Sequence, residues 1–270
     1  MLTADSTTVD GVTSIISKWM RRRFVRSGRS VMRFRLDNKD FTVLWSGGKD
    51  STAALLWVLN NVKSNGFKVL YVEITGNTDW RCNEYVLKTA ESLGIEDRLI
   101  YHKATVNGLD FYQLMERWGV PIIKYRWCLY KLKIPVFQSV PTKFIVSGTR
   151  KSDSKIREKY VREITHSRFI GKWSFNVIWD WSKEQVLDYI RDNGVKLNPC
   201  YDILKHSGNC CFCPYADKTH IIGTLNDPYW RDKIIPVIAR KKDHLMKGKA
   251  GAKIYHNWMK YARQTTIPFL

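Results

Sequence analysis

The chain's 270 residues carry 45 Lys and Arg against 25 Asp and Glu, a formal charge of +20, with 44% hydrophobic and 13% aromatic residues. That content fills a core, which excludes a disordered or fibrous chain, and no run approaches the ~18 apolar residues of a membrane helix. The opening MLTADSTTVDG has no basic stretch leading into an apolar one, and six cysteines without a leader point to a reducing, cytoplasmic setting where Cys serves a metal, catalysis or the core.

Residues 1–40 form a basic arm, with nine Lys and Arg against four acids and Arg21, Arg22 and Arg23 in a row. FTVLWS (41–46) reads as a buried strand, followed by a Gly-rich turn and a helix over 51–64. FKVLYVEIT (67–75) is a second strand. Residues 83–93 have helical spacing closed by Gly94, 98–104 is a third strand and KFIVSG (143–148) a later one. Strands alternating with helices, without hairpin signals, predict an α/β domain over 41–215: a Rossmann-like, twisted parallel sheet with helices on both faces. Its ligand edge lies beyond the C-terminal strand ends, in the loops 46–51, 75–80 and 148–157. Residues 216–270 form a basic, mostly helical C-terminal region, with eleven Lys and Arg against four acids over 217–270.

The most informative residues are Ser46-Gly47-Gly48-Lys49-Asp50-Ser51. Following a strand and opening a helix, they aim free backbone amides and the helix dipole at one point, where an anion binds. Lys49 adds a charge, Ser46 and Ser51 add hydroxyls, and Asp50 serves a Mg²⁺ ion or orients the loop. A Walker A loop is excluded, because Val43 stands where it needs Gly and Asp50 where it needs Ser or Thr. Arg150 and Arg157 flank a polar stretch after the strand 143–148, and guanidinium forks match sulfate, phosphate or carboxylate. Lys151, Lys155 and Lys159 read as a solvated basic face. Asp180 either touches ligand or caps the helix starting near Ser182.

SGGKDS resembles the pyrophosphate loop of the adenine-nucleotide α-hydrolase superfamily (the PP-loop ATP pyrophosphatases), and the wider pattern resembles its phosphoadenosine phosphosulfate reductase branch. Thr75-Gly76-Asn77 is similar to that branch's segment beside the adenosine, with Ile74 where an Asp is usual. Arg126-Trp127-Cys128 with Lys131 and Pro135 resembles its Cys-bearing helix. Gly148-Thr149-Arg150 with Ser154 and Arg157 resembles its substrate-anion segment. Asp180-Trp181-Ser182 with Val186, Tyr189 and Ile190, then Asn198-Pro199, complete the order. The resemblance implies ATP as a ligand of Ser46–Ser51, Thr75 and Gly76, with Lys49, Asp50, Arg150 and Arg157 at the chemistry.

Four of the six cysteines fall at 200, 210, 211 and 213, and Cys210-x-x-Cys213 is metal-ligand spacing. In cluster-bearing members of the branch, the Cys-bearing helix and a Cys-x-x-Cys loop together hold a 4Fe–4S centre, so Cys128, Cys210 and Cys213 resemble three cluster ligands. Trp127 stands where those reductases have a second Cys, so Cys200 or Cys211 supplies the fourth ligand, or an iron site stays open. A four-cysteine zinc site has the same spacing, and buried free thiols are the plain alternative. Cys82 reads as a packed thiol, and the six His show no paired spacing.

The branch's reductases carry a nucleophilic Cys on a C-terminal tail, and no Cys follows Cys213 here. The pattern therefore points to an ATP-pyrophosphatase-type enzyme that adenylates a target and transfers sulfur to it, with a sulfur-donor protein as a partner. The charge favours tRNA or DNA as that target. Trp230, Tyr255, Trp258 and Tyr261 offer stacking surfaces, or else pack the C-terminal helices. A sulfonucleotide reductase, or a non-catalytic nucleotide-binding module with a structural metal, are the alternatives.

Overall fold

Phe41–Leu44 forms β1 near the middle of a six-stranded sheet of order β3-β2-β1-β4-β6-β5. The computed structural model describes residues 36–64 and 66–264, so most of the basic arm, Arg21, Arg22 and Arg23 included, lies outside the described residues. β1 pairs in parallel with β2 (Lys68–Ile74) on one side and β4 (Phe144–Val146) on the other, Val43 lying opposite Val69 and Val146. Phe41, Thr42 and Val43 are all buried, as befits a parallel sheet covered on both faces. The one polar side chain among them, Thr42, is satisfied by Thr142 Oγ1 at 2.8 Å.

β3 (Leu99–Ala104) forms one edge, in parallel with β2. The chain leaves β1 towards β2 and β3, then returns to β1's other side at β4. That reversal opens a crevice at the C-terminal ends of β1 and β4, where doubly wound sheets hold their ligands. Helices α1 (Lys49–Asn61) and α2 (Trp80–Ser92) follow β1 and β2. α1 starts two residues before the expected 51, directly on the Gly turn. α2 starts three residues early, because the Asp79 carboxylate caps it by accepting from Arg81 N at 2.9 Å. Gly94 ends it at φ +62°, a conformation that favours glycine. α3 (Phe111–Trp118) carries an Asp110/Gln113 capping box.

The expectation of a sheet without hairpins is corrected at one edge. β5 (Ile164–Ser167) and β6 (Lys172–Phe175) form an antiparallel hairpin, and β6 pairs in parallel with β4. Gly171 at φ +71° closes the turn, and the buried Lys172 ammonium donates to the carbonyls of Val140 and Thr142 at 2.7 Å each, fixing where β6 begins.

Between β3 and β4 a π-helical turn, Cys128–Lys133, runs into α4 (Ile134–Ser139). Beyond β4, α5 (Lys155–Tyr160) precedes the hairpin, and α6 (Lys183–Asp192), which packs on α1, follows it. A short α7 (Cys200–Ile203) leads into the cysteine loop, then α8 (Lys218–Leu225), α9 (Pro228–Arg240), α10 (Lys242–Met246) and α11 (Lys249–Gln264). The expected helical C-terminal region is present, but Trp230 and Trp258 are core residues rather than stacking surfaces, each only 1% exposed. Trp258 stacks on Phe212 with ring centroids 5.1 Å apart. Among the described residues, no helix is long and apolar enough to cross a membrane.

Candidate functional site

The loop after β1 is built for close approach. Gly47 sits at φ +71°, and a Cβ there would meet Cys82 Sγ at 3.0 Å and Val86 at 3.1 Å. The amides that face an incoming anion rest on hydroxyl oxygens. Ser46 N donates to Ser51 Oγ at 3.1 Å, Gly48 N to Ser46 Oγ at 3.4 Å and Lys49 N to Tyr201 OH at 3.0 Å. Lys49 Nζ lies 2.5 Å from Asp50 Oδ2. Asp50 Oδ1 is 2.8 Å from Arg150 Nε, an ion pair not aligned as a hydrogen bond, which leaves both buried atoms without one.

Arg150 is buried, and protein groups hold the rest of its fork: Asp153 at 2.8 Å, Ser152 Oγ at 3.1 Å and the Trp181 carbonyl at 3.3 Å. Arg157 pairs with the same Asp153. The structure thus brings Lys49, Asp50, Arg150 and Arg157 into one chain of ion pairs, in which Arg150 bridges Asp50 and Asp153 and Arg157 ends on Asp153. Asp180 pairs with Lys151 at 2.6 Å, and Ser182, not Asp180, caps α6.

The loop after β2 joins the phosphate loop to the cysteines. Thr75 Oγ1 is buried without a hydrogen bond, and Gly76 turns at φ +87° against Asp110. Asn77 is buried and acts as a peptide mimic: its Nδ2 donates to Phe212 O at 3.0 Å, its Oδ1 accepts from Phe212 N at 2.8 Å, and its carbonyl accepts from Cys211 N at 2.9 Å. Thr78 Oγ1 donates to Asn209 O at 2.9 Å. From the other end, Asn198 Nδ2 donates to Gly47 O at 3.0 Å and to Ser207 O at 2.9 Å. The segment 198–213 is therefore hydrogen-bonded to both nucleotide-side loops.

Cys128, Cys210 and Cys213 gather around Lys133, whose Nζ donates to Asn209 Oδ1 at 2.8 Å. Burial pushes the Cys128 thiol up to about 12 and that of Cys213 up to about 11, with the neighbouring thiols adding to both. Burial pulls the Lys133 ammonium down, but the three thiols around it, Cys210 also as hydrogen-bond acceptor, leave it raised. Cys200 is not in this group, since its thiol faces Asp79 Oδ1 at 3.7 Å. Cys211 is buried against Gly208 O at 3.7 Å, and Cys82 packs beneath Ser46. Among the described residues, no three Cys, His, Asp or Glu side chains stand close enough to hold a single metal ion.

Sequence reasoning missed Lys133 and Tyr201 as site residues, and gave Asn77 only as part of the Thr75-Gly76-Asn77 segment, without its bonds to Phe212. Lys133 had a weak signal, a second lysine on the Cys-bearing turn, while Tyr201 and Asn77 act only through tertiary contacts.

An uncharacterised protein of Methanocaldococcus jannaschii is 26% identical over 185 residues, covering 66% of this chain and 43% of that protein, so the chain spans less than half of its length. Among solved structures, similar ones include the phosphoadenylyl-sulfate reductase of Candida auris, with TM-score 0.44 and 15% identity over 74% of this chain and 93% of that one. The U34-tRNA thiolase NcsA of Methanococcus maripaludis, solved with its [4Fe-4S] cluster, gives TM-score 0.45 and 16% identity over 94% and 78%. Candida glabrata FMN adenylyltransferase with FMN and an ATP analogue gives 0.42 and 12% over 76% and 65%. Residues 40–212, well over half of the chain, match the phosphoadenosine phosphosulfate reductase domain, and with the loop after β1 and the sheet order in place, the chain belongs to that family.

Proposed function

We propose that the chain is an enzyme that cleaves ATP between the α and β phosphates, adenylates a nucleic acid, tRNA or DNA, and transfers sulfur to it. The observation that carries this reading is the segment 198–213. It touches the phosphate loop through Asn198 and Tyr201 and presents Cys210 and Cys213 beside Cys128, so nucleotide and thiols share one framework.

In this reading the Ser46, Ser51 and Tyr201 hydroxyls stand where β- and γ-phosphate oxygens bind, and the phosphates exchange for them on the amides of Ser46, Gly48 and Lys49. Lys49 adds its charge, and the unpartnered Thr75 Oγ1 is a hydroxyl for the nucleoside. Asp50 does not fit as a Mg²⁺ ligand while Lys49 and Arg150 hold its two oxygens, so Mg²⁺ is left to the phosphates. Arg150 orients Asp50, and Asp153 ties Arg157 into the same network.

Cys128, Cys210 and Cys213 are the residues that would hold an iron–sulfur cluster. The Cys-x-x-Cys spacing suits a tetrahedral zinc and an iron–sulfur centre alike, and the metal content of the protein separates the two. When bound, such a cluster supplies a place to keep reactive sulfur beside the adenylate. Lys133 would balance the thiolate charge, and Cys200, turned to Asp79, is not among the residues that would hold the group.

The test is one anaerobic preparation. Iron and sulfide should be found in near-equal amounts, bound iron should be lost in Cys128→Ala, Cys210→Ala and Cys213→Ala but not in Cys82→Ala, and ATP should yield AMP and pyrophosphate. ADP as the sole nucleotide product refutes the reading. About one zinc and no iron transfers the thiols to a structural role. Tight binding of adenylyl sulfate with thiol-dependent sulfite release favours the family's reductase chemistry instead.

A further inference from the structure

Exposed aromatic rings that the nucleotide site does not use adjoin Cys128 and Cys213. Tyr130 follows Cys128 in the same π-helical turn and is 40% exposed, and its ring lies 6.3 Å from that of Phe169, which is 68% exposed at the tip of the β5–β6 hairpin. Tyr215 is 57% exposed, its backbone amide hydrogen-bonds the Cys213 thiol, and Arg126 covers its ring at 5.2 Å. Large rings left in water beside chemistry-bearing groups mark a contact surface.

The chain segments that carry these rings are basic. No Asp or Glu occurs in 117–152, in 164–179 or in 203–216, the three segments that supply this face, while Arg126, Lys131 and Arg168 stand on it. Basic segments with exposed rings match a strand that offers phosphates and unstacked bases together. Chemistry on a base takes it out of the stack, so the strand is unpaired there.

We propose that this face is the docking surface for an unpaired stretch of nucleic acid, its bases stacking on Phe169, Tyr130 and Tyr215 and its phosphates meeting Arg126, Lys131 and Arg168. The proposal rests on the reading of a nucleic-acid target given above.

Fluorescence anisotropy with the full chain tests it, using a labelled 20-nucleotide single strand of RNA or DNA, the blunt duplex of the same sequence, and inorganic polyphosphate as a charge-only competitor. The single strand should bind at least tenfold more tightly than the duplex and resist displacement by polyphosphate. Phe169→Ala and Tyr215→Ala should each weaken it roughly 5- to 150-fold without lowering Tm. Phe169→Leu should weaken it as much as Ala, because Leu keeps the apolar bulk but has no π face. Arg126→Gln and Lys131→Gln should each flatten the slope of log K against log salt by about 0.7.

Equal affinity for duplex, or wild-type affinity in Phe169→Ala and Tyr215→Ala, overturns the surface. Full retention by Phe169→Leu also overturns it, in favour of an apolar protein partner. The nucleotide products of the same samples separate the two levels. AMP and pyrophosphate without single-strand binding defeats the docking surface alone, whereas ADP defeats the reading beneath it.

Discussion

Gly148 sits where the loop after β4 meets the phosphate loop, and the space it leaves is measurable. A Cβ there would lie 2.4 Å from Asp50 O, 2.5 Å from Asp50 C and 2.6 Å from Ser51 N, against 3.4 Å for ordinary contact. The obstacle is backbone at the start of α1, which cannot swing aside as a side chain can, so Gly148→Ala forces the two loops apart by about 1 Å. Overpacking of this kind costs about 1–3 kcal/mol of stability. The larger effect is local, because Arg150, two residues on, reaches Asp50 at 2.8 Å and moves with its loop. A misplacement of ~1 Å at reacting groups costs about 100-fold in rate. We therefore expect a modest fall in Tm, weaker ATP binding by calorimetry, and AMP formation with kcat/KM down about 100-fold. Gly248→Ala, where a Cβ meets nothing within 4 Å, is the matched control and should leave all three unchanged. Wild-type Tm and turnover in Gly148→Ala would refute the argument that the two loops are in backbone contact.

Asp79→Ala removes a buried carboxylate that accepts two bonds from Arg81 at 2.8 Å and one from Trp230 Nε1 at 2.6 Å. It should cost about 3–5 kcal/mol in a denaturant titration, and an unchanged midpoint would remove Asp79 as the anchor of α9. His206 is half-buried, and desolvation, with the facing His220 adding to it, pushes its imidazole down to about 3 from an ordinary 6.5. The folded state then binds fewer protons than the unfolded one, and stability is full above pH 6.5 and lost as pH falls from 6.5 towards 3, by up to about 1.4 kcal/mol per pH unit. Calorimetric scans from pH 7 to 4 should show this fall and its loss in His206→Gln, and identical slopes in the two proteins would sink it.

Much of this was legible in the chain. The unit β1–loop–α1 combines an apolar run, two glycines and an N-terminal turn with Lys49 and Asp50, and every one of those cues acts over a few residues. Cys210-x-x-Cys213 is visible as a spacing, while only the fold brings Cys128 beside it. The β5–β6 hairpin does not, because ITHS and KWSF are four residues each and their apolar and polar positions follow no clean alternation. Trp230 and Trp258 sit among lysines in sequence, yet Ile254, Trp258 and Ala262 repeat every four residues and share the buried face of α11. Asn77 reads in the sequence only as the end of the Thr75-Gly76-Asn77 segment that resembles the one beside the adenosine. Only the fold shows its amide standing in for a peptide against Phe212.

The C-terminal helices follow from the same contacts. Arg81 joins Asp79, the cap of α2, to Asp227, the cap of α9, at 2.5 Å, and Trp230 of α9 donates into Asp79 itself. Phe212, between Cys211 and Cys213, stacks on Trp258 of α11. Arg240 and Lys241 at the end of α9 clasp Glu116 of α3 at 2.6 Å and 3.3 Å. Each tie lands on an element that also shapes the site: α2, the cysteine loop, or α3 behind Gly76. The buried ties of Trp230 to Asp79 and Trp258 to Phe212 hold α8–α11 to the α/β core as one packed body rather than as a domain on a linker, with the exposed Glu116 pairs adding little. The basic residues of these helices are thus set at fixed positions relative to the thiols and the phosphate loop, where a flexible tail would offer only charge.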